Sequence, residues 1–179
     1  MSQREKPGTV IWLTGLSGSG KTTLAFRLKK EFEAQKISIE VLDGDMVRDF
    51  FENDLGYSRK ERILNVKRIA FAAMLMARHG THVIVANIAP YYEVRDFIRR
   101  HLKNYLQIYV KALPETLRKR DVKGHYRRFE QGQIRDMVGI DDDYDQPRRP
   151  DLILDTDCET IDQSLARLVD FCRQKGALT

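Results

Sequence analysis

Residues 10–23 of the chain read Val-Ile-Trp-Leu-Thr-Gly-Leu-Ser-Gly-Ser-Gly-Lys-Thr-Thr, an apolar run followed directly by a glycine-rich turn. The turn begins at Gly15 and fits the pattern of Gly, four residues of any type, then Gly-Lys-Thr. Leu24, Leu28 and Phe32 then recur every four residues, which is the spacing of one helix face. A strand, a glycine-rich loop and a helix in this order predict a P-loop that holds the phosphates of a nucleotide.

Each residue type in this loop has a physical role toward phosphate. Glycines let backbone N–H groups curl around phosphate oxygens, and the helix N-terminus adds partial positive charge. We expect Lys21 to reach the β- and γ-phosphates as a catalytic residue, and the Thr22 hydroxyl to bind Mg²⁺. ATP and Mg²⁺ are therefore the expected cofactors, although the motif alone leaves kinase, GTPase and ATPase open. The predicted ATP-binding residues are Gly15, Ser17, Gly18, Ser19, Gly20, Lys21, Thr22, Thr23 and, from a later basic segment, Arg120.

Short apolar runs alternate with helical periodicities along the rest of the chain. Strands are expected at 10–14, 39–42, 83–88, 106–110 and 152–154. Helices are expected at 24–32, 63–77, 93–101, from Pro114 onward and at 161–172. This alternation predicts an α/β protein with right-handed crossovers, namely a P-loop NTPase-like three-layer fold with a mainly parallel five-stranded sheet. Ligands of such sheets bind beyond the carboxyl ends of the strands, so Gly15, Asp43 and Asn87 should face one crevice.

The length and composition of the chain indicate how many domains it has and where in the cell it is located. A chain of 179 residues with 42% hydrophobic and 32% charged residues suits one domain, and no repeat or linker interrupts residues 1–179. No apolar run approaches the roughly 18 residues of a membrane span, so we expect no membrane partner. Residues 1–9 are polar and lack a signal-peptide pattern, and two cysteines form no disulfide framework or metal-ligand pair. The expected location is the cytoplasm.

A basic segment lies between Arg118 and Asp136, with seven basic residues against three acidic ones. It is either a solvated helix face or a mobile basic lid over phosphates, which we place at about 115–137. An RNA-binding module is a further alternative, but only Tyr126 and Phe129 supply interleaved aromatic rings. We therefore expect no nucleic-acid partner.

The residues after the second strand point to a phosphate acceptor. Asp43 and Asp45 are carboxylates beside the predicted nucleotide, where they can accept a hydroxyl proton or hold Mg²⁺ through water. The alternative role of Asp45 is a helix N-cap. Arg62 and Asn65 share a helix face and, together with Arg48, suit an anionic acceptor, unless they belong to a surface ion-pair helix. No Asn-Lys-x-Asp motif selects guanine, which favours a small-molecule kinase.

The order of these motifs resembles the adenylylsulfate (APS) kinase family over roughly residues 8–176. The matching pieces are Gly15-Leu-Ser-Gly-Ser-Gly-Lys-Thr-Thr23, Leu42-Asp-Gly-Asp-x-x-Arg48, Asp54-Leu-Gly-Tyr-Ser58, Arg62-x-x-Asn65, Ile88-Ala-Pro-Tyr91, Arg120-Asp-Val-Lys-Gly-x-Tyr126, Val138-Gly-Ile-Asp-Asp142 and Pro150-Asp-Leu-x-Leu-Asp-Thr156. The resemblance implies ATP-dependent phosphorylation of the ribose 3′-hydroxyl of adenylyl sulfate, in sulfate assimilation. A nucleotide substrate, Mg²⁺ and a homodimer are implied with it.

The resemblance also assigns roles residue by residue. Asp45 would lie near the acceptor hydroxyl as a catalytic residue, and Lys123 in the lid would reach the phosphates. Ile88 and Ala89 would offer backbone groups to the acceptor, and Tyr57 would stack on its base. The full set of expected acceptor-binding residues is Asp43, Asp45, Arg48, Tyr57, Arg62, Asn65, Ile88, Ala89, Lys123 and Met137.

Three departures from the family pattern cluster around the acceptor. Ala89 stands where the family usually has a serine that can be phosphorylated, so no phosphoserine can form there. Met137 replaces the phenylalanine of an aromatic clamp, and its thioether can still pack on a base. Tyr92 replaces a frequent arginine. The alternative acceptor is therefore another activated nucleotide, such as a cytidine diphosphate that carries a phosphoramide group in capsule modification.

Overall fold

A computed structural model describes residues 6–178 of the chain, so residues 1–5 of the polar start and Thr179 lie outside the described part. It has one five-stranded sheet in the order β2-β3-β1-β4-β5, and every neighbouring pair is parallel. The strands are β1 (Val10–Thr14), β2 (Ile39–Asp43), β3 (His82–Ala86), β4 (Tyr105–Lys111) and β5 (Leu152–Asp155). The five expected strands and the parallel sheet are confirmed.

The third strand is shorter than the sequence suggested. The apolar run predicts a strand through Ile88, but β3 ends at Ala86. Asn87 interrupts it, because its side-chain Oδ1 accepts the backbone N–H of Ala89 at 2.9 Å. Ala89 then has a positive φ of 42°, which no strand can contain. The chain therefore leaves the sheet at Asn87 and forms a loop beyond its carboxyl edge.

The described part of the chain contains seven helices. They are α1 (Lys21–Ala34), α2 (Gly44–Phe50), α3 (Arg59–Arg78), α4 (Tyr92–His101), α5 (Pro114–Arg120), α6 (His125–Glu130) and α7 (Ile161–Gln174). Apolar periodicity predicted neither α2 nor α6, because a helix of six or seven residues makes too few turns for a repeat. α3 begins four residues before its apolar stripe, where Ser58 and Glu61 form a capping box.

Two apolar clusters sandwich the sheet and give the three expected layers. α1 and α7 cover one face, where Leu28, Phe32 and Leu168 are fully buried. α3 and α4 cover the other face, against Trp12 of β1. Burying each such side chain contributes about 1.5–3 kcal/mol. The central strand β1 is packed on both sides, and it therefore holds the glycine-rich loop that follows it in a fixed position.

The described helices include none that is both long and apolar enough to cross a lipid bilayer. The longest is α3, with 20 residues, and it carries charged residues along much of its length.

Candidate active site

A cavity of about 700 Å³ opens at the carboxyl edge of the sheet. Its volume lies within the range of small-molecule sites, roughly 300–1,000 Å³. The P-loop, the start of α2, the acceptor face of α3 and the lid all contribute to its wall. Predicted site residues that line it are Ser17, Gly18, Gly20, Lys21, Thr22, Thr23, Asp43, Asp45, Arg48, Tyr57, Arg62, Asn65, Ile88, Lys123 and Met137.

The P-loop has the shape that its sequence predicts. Gly15 has a φ of 150°, and a Cβ added there would lie 2.2 Å from the Val110 carbonyl oxygen, so only glycine fits. Lys21 is buried, and its Nζ donates to the Leu16 carbonyl at 2.8 Å. Burial, followed by the nearby charge of Lys123, lowers the pKa of Lys21 to about 8. Asp43 and Asp45 act in the opposite direction, and a polyphosphate in the loop would add further negative charge that raises this pKa.

Thr22 and Asp43 place a hydroxyl oxygen and a carboxylate oxygen side by side next to the loop. The Thr22 hydroxyl donates to Asp43 Oδ2 at 2.8 Å. Asp43 Oδ1 accepts the backbone N–H of Asp45 at 2.9 Å, so Asp43 is the N-cap of α2 and Asp45 lies inside its first turn. The alternative role of Asp45 as a cap is therefore wrong, and its carboxylate is available for chemistry.

The donor set at this place fits Mg²⁺. Hydroxyl and carboxylate oxygens are the ligands that this hard cation prefers, usually together with substrate phosphates. Within residues 6–178 no group of three or more His, Cys, Asp or Glu side chains could hold a metal by itself. A magnesium ion here would therefore need Thr22, Asp43 and the oxygens of a bound nucleotide together.

Asp45 faces the cavity and is paired with the lid. Its Oδ2 accepts a hydrogen bond from Lys123 Nζ at 2.5 Å. Burial acts to raise the pKa of Asp45, but the hydrogen bond and charge of Lys123, helped by His125 and Lys21, outweigh it and the pKa lies below its usual value. The carboxylate is therefore ionised at neutral pH and can accept a proton.

The lid is folded down onto the P-loop. α5 and α6 occupy the segment predicted as a lid at about 115–137. The hydroxyl of Tyr126 donates to the Ser17 carbonyl at 3.3 Å. The segment thus contacts the phosphate loop through Tyr126, while its seven basic residues are exposed. Its role as a lid stays a prediction.

A cationic pocket lies on the acceptor side. Arg48 is buried, and its Nη1 donates to the backbone oxygens of Leu55 and Gly56 at 2.8 and 3.0 Å. Its guanidinium lies 4.6 Å from the ring centre of Tyr57, and that of Arg62 lies 5.2 Å from the same ring. The ring itself is 54% exposed. Two guanidinium groups and an open aromatic face suit a ligand with an anionic group and a flat base.

Asn65 adds an unpaired polar atom to this pocket. It is 3% exposed, and its Oδ1 has no hydrogen-bond partner among the described residues. A buried amide oxygen without a partner is costly, so a ligand that donates a hydrogen bond here would relieve the cost. Asn65 and Arg62 both line the cavity, as their spacing on one helix face predicted.

An acidic loop holds Arg62 in place. Arg62 Nε donates to the Tyr57 carbonyl at 2.8 Å and lies 3.4 Å from Asp142 Oδ2, and its Nη2 donates to the Asp136 carbonyl. The hydroxyl of Tyr91 also donates to Asp142, at 2.6 Å. Burial, followed by this carboxylate, raises the pKa of Tyr91. The segment after Val138 is thus a loop beside the site, and its Asp142 links Arg62 to Tyr91.

Four predicted residues do not line the cavity: Gly15, Ser19, Ala89 and Arg120. Gly15 and Ser19 belong to the P-loop, and Ser19 is fully buried. Ala89 is fully buried, its N–H bonds the Asn87 side chain, and its carbonyl accepts from Arg95 Nη1 at 2.9 Å. Arg120 donates to the Thr156 hydroxyl and carbonyl at 3.0 and 2.6 Å, behind the loop.

Other cavity residues were outside the predicted site set. The lid contributes Val122, His125, Arg128, Ile134, Arg135 and Asp136. The end of β3 and the loop after it contribute Ala86, Asn87 and Pro90, while Gly44 of α2, Val66 of α3 and Val138 after the lid complete the wall. The position of Asn87 after the third strand did predict that it faces the crevice. The basic residues of the lid predicted that the segment covers the phosphates, but not which of its side chains reach the cavity, because that depends on how the lid folds.

A parallel sheet with a P-loop, an ionised carboxylate facing the cavity and a basic lid define a P-loop kinase, which is a phosphotransferase. The model of the adenylylsulphate kinase family matches residues 7–155. The adenylyl-sulfate kinase of Microcystis aeruginosa is 42% identical over 176 residues, 98% of this chain and 96% of that protein. The adenylyl-sulfate kinase of a Synechococcus strain is 41% identical, over 93% of each chain. The protein belongs to the adenylylsulphate kinase family.

Solved structures agree with this assignment. The APS kinase of Mycobacterium tuberculosis, in a structure described as a complex with AMPPNP and APS, superimposes with a TM-score of 0.88. It is 33% identical in sequence, and the match covers 93% of this chain and 98% of that one. Another neighbour, from Thiobacillus denitrificans, is described as a hexameric APS kinase, and this chain spans 31% of its length.

Proposed function

We propose that this protein transfers the γ-phosphoryl group of ATP to the ribose 3′-hydroxyl of adenylyl sulfate, to give 3′-phosphoadenylyl sulfate. The observation that carries the proposal is the shared cavity, which joins a P-loop to a pocket of two arginines, an unpaired Asn65 and an aromatic ring. Relatives named adenylyl-sulfate kinases match nearly the whole chain. No observation favours the cytidine nucleotide as acceptor.

The nucleotide would bind with its polyphosphate in the P-loop. Its negative charge would raise the pKa of Lys21 and so maintain the ammonium form, which would stabilise charge on the transferring group. Thr22 and Asp43 would hold Mg²⁺, which neutralises phosphate charge when bound. Arg120 would act from behind the loop, through Thr156, whose hydroxyl lies 3.4 Å from the Ser19 carbonyl.

The acceptor would bind on the other side of the cavity. Arg48, Arg62 and Asn65 would hold its phosphate and sulfate, while Tyr57 would stack on the base. Met137 is only 7% exposed but lines the cavity, so part of its thioether side chain would contact the base. Ile88 is the residue of the 88–89 pair that reaches the cavity wall.

Asp45 would accept the proton of the attacking hydroxyl. In the structure, its partner is Lys123. Phosphates would compete for this ammonium, because they carry more charge than one carboxylate. We infer that Lys123 moves to the phosphates when they bind, which frees Asp45 to act as the base.

The proposal includes a single kinase domain over residues 1–179, a homodimer and a cytoplasmic location. ATP-dependent chemistry and the reduced state of both cysteines are compatible with that location.

The test is an ADP-release assay with purified protein, ATP and Mg²⁺, run with adenylyl sulfate and, in parallel, with cytidine diphosphate derivatives. Turnover with adenylyl sulfate, with the product identified by mass spectrometry as its 3′-phosphate, supports the proposal. Turnover only with the cytidine compounds would overturn the proposed acceptor.

A further inference from the structure

One lid residue reaches the P-loop without a role in the chemistry described above. His125 is the first residue of α6, and Gly124 before it has a φ of 66° that turns the chain into this helix. Its Nδ1 lies 3.4 Å from the Ser17 hydroxyl oxygen in the P-loop. The side chain is half-buried and lines the same cavity as Lys21. An imidazole is therefore held at the loop where the phosphates of a nucleotide would bind.

The groups around His125 make it sensitive to added negative charge. Lys123 and Arg128 of the lid act against its protonation, whereas Asp45 of α2 and Asp121 before α6 favour it. Burial, followed by Lys123, sets the balance, and the pKa of His125 lies below its ordinary value. The ring is therefore mainly neutral at neutral pH.

We propose that His125 is a nucleotide-contacting residue, which takes up a proton when a polyphosphate binds in the P-loop and then donates an N–H to a phosphate oxygen. The inference rests on the proposed ATP site. Phosphate charge next to the ring opposes the effect of Lys123, and it also draws Lys123 away from Asp45. Both changes favour the imidazolium, since a nearby opposite charge stabilises the charged form of a titrating group. The lid would thus close on ATP with a charge that forms only when ATP is present.

Proton uptake has a measurable consequence for affinity. A ligand that raises the pKa of a group binds more tightly as the pH falls, by up to about tenfold per pH unit between the free and bound pKa values. We therefore expect the Kd of a non-hydrolysable ATP analogue with Mg²⁺ to rise between pH 6 and pH 8. Between these pH values, the factor by which the Kd rises should be about ten times larger for wild type than for H125Q. H125Q cannot gain the proton. Protonation of the analogue's own phosphates affects the Kd of wild type and H125Q equally, so it cancels in this comparison.

The experiment is isothermal titration of wild type, H125Q and H125R with this analogue, at several pH values and in two buffers with different ionisation enthalpies. Wild type should take up a fraction of a proton more than H125Q. H125R should bind tightly with no such excess, because its charge is permanent. R127Q is the matched control, since Arg127 is an exposed residue of the same helix outside the cavity wall. It should retain the proton uptake of wild type.

A second measurement does not depend on the variants binding normally. NMR titration of the ring protons follows the four histidines of the chain with and without the analogue. The His125 signal, assigned with H125Q or, if that variant does not fold, with H125N, should titrate at higher pH in the complex. Equal pKa values in free and bound protein, or equal proton uptake by wild type and H125Q, would overturn the proposal.

These outcomes are separable from the proposed function. Proton uptake at His125 without turnover of adenylyl sulfate would leave the inference intact and reject the acceptor. Turnover of adenylyl sulfate without excess proton uptake would reject the role of His125 alone.

Discussion

Replacing Asp45 with asparagine is the sharpest test of the proposed chemistry. The substitution retains the size of the side chain but removes its charge and its ability to take a proton. In the structure, Asp45 is inside the first turn of α2 and has no capping role, so the fold should tolerate the change. Asp45 accepts a hydrogen bond from Lys123 Nζ at 2.5 Å, and the substitution removes the ion pair between these two side chains.

The expected loss is a fall in kcat of about 10² or more, which lies in the range for removal of general-base assistance. A hundredfold fall corresponds to about 2.7 kcal/mol of transition-state stabilisation, since each tenfold is about 1.36 kcal/mol. The ion pair with Lys123 is partly exposed, with 46% and 62% of the two side chains accessible. Its loss should therefore change stability by no more than about 1 kcal/mol.

The assay is steady-state kinetics with saturating ATP and varied adenylyl sulfate, beside thermal unfolding of each variant. Asp49→Asn removes the same charge one turn further along α2, outside the cavity, and should leave kcat within about twofold of wild type. Normal kcat in Asp45→Asn with a raised KM alone would refute the catalytic role and make Asp45 a binding residue.

Four further outcomes are expected. Lys21→Ala should fold and bring phosphoryl transfer below detection, and near-normal turnover in the folded variant would reject the P-loop assignment. Because the folded pKa of Lys21, about 8, lies below its unfolded value, the empty wild type should gain stability as the pH rises from 8 toward 10.5, and Lys21→Ala should gain less. Hydrogen exchange across 118–136 should slow when nucleotide and acceptor bind, and equally slow exchange in the free protein would contradict a mobile lid. Met137→Phe should tighten adenylyl sulfate by about tenfold, or 1.4 kcal/mol, in a binding titration, whereas a cytidine acceptor should bind more weakly. No response of either ligand would mean that Met137 is not at the base.

Local sequence patterns determined much of the architecture. The apolar run of β1, the glycine spacing after it and the four-residue repeat of α1 predict the P-loop and its flanking elements, because each pattern depends only on backbone geometry within a few residues. The alternation of strands and helices likewise predicts the parallel sheet, since short crossovers restrict its topology. Asp43 was placed at the crevice on the same grounds, through its position at a strand end.

Only the tertiary structure decided which side chains meet across the site. Asp142 contacts Tyr91 and Arg62 from 51 and 80 positions away in the chain, and Lys123 reaches Asp45 across 78 positions. His125 approaches Ser17 only because α6 folds back over the loop. Sequence periodicity carries no information about such contacts, because they depend on how the lid and the acidic loop pack on the sheet and on which rotamers that packing allows.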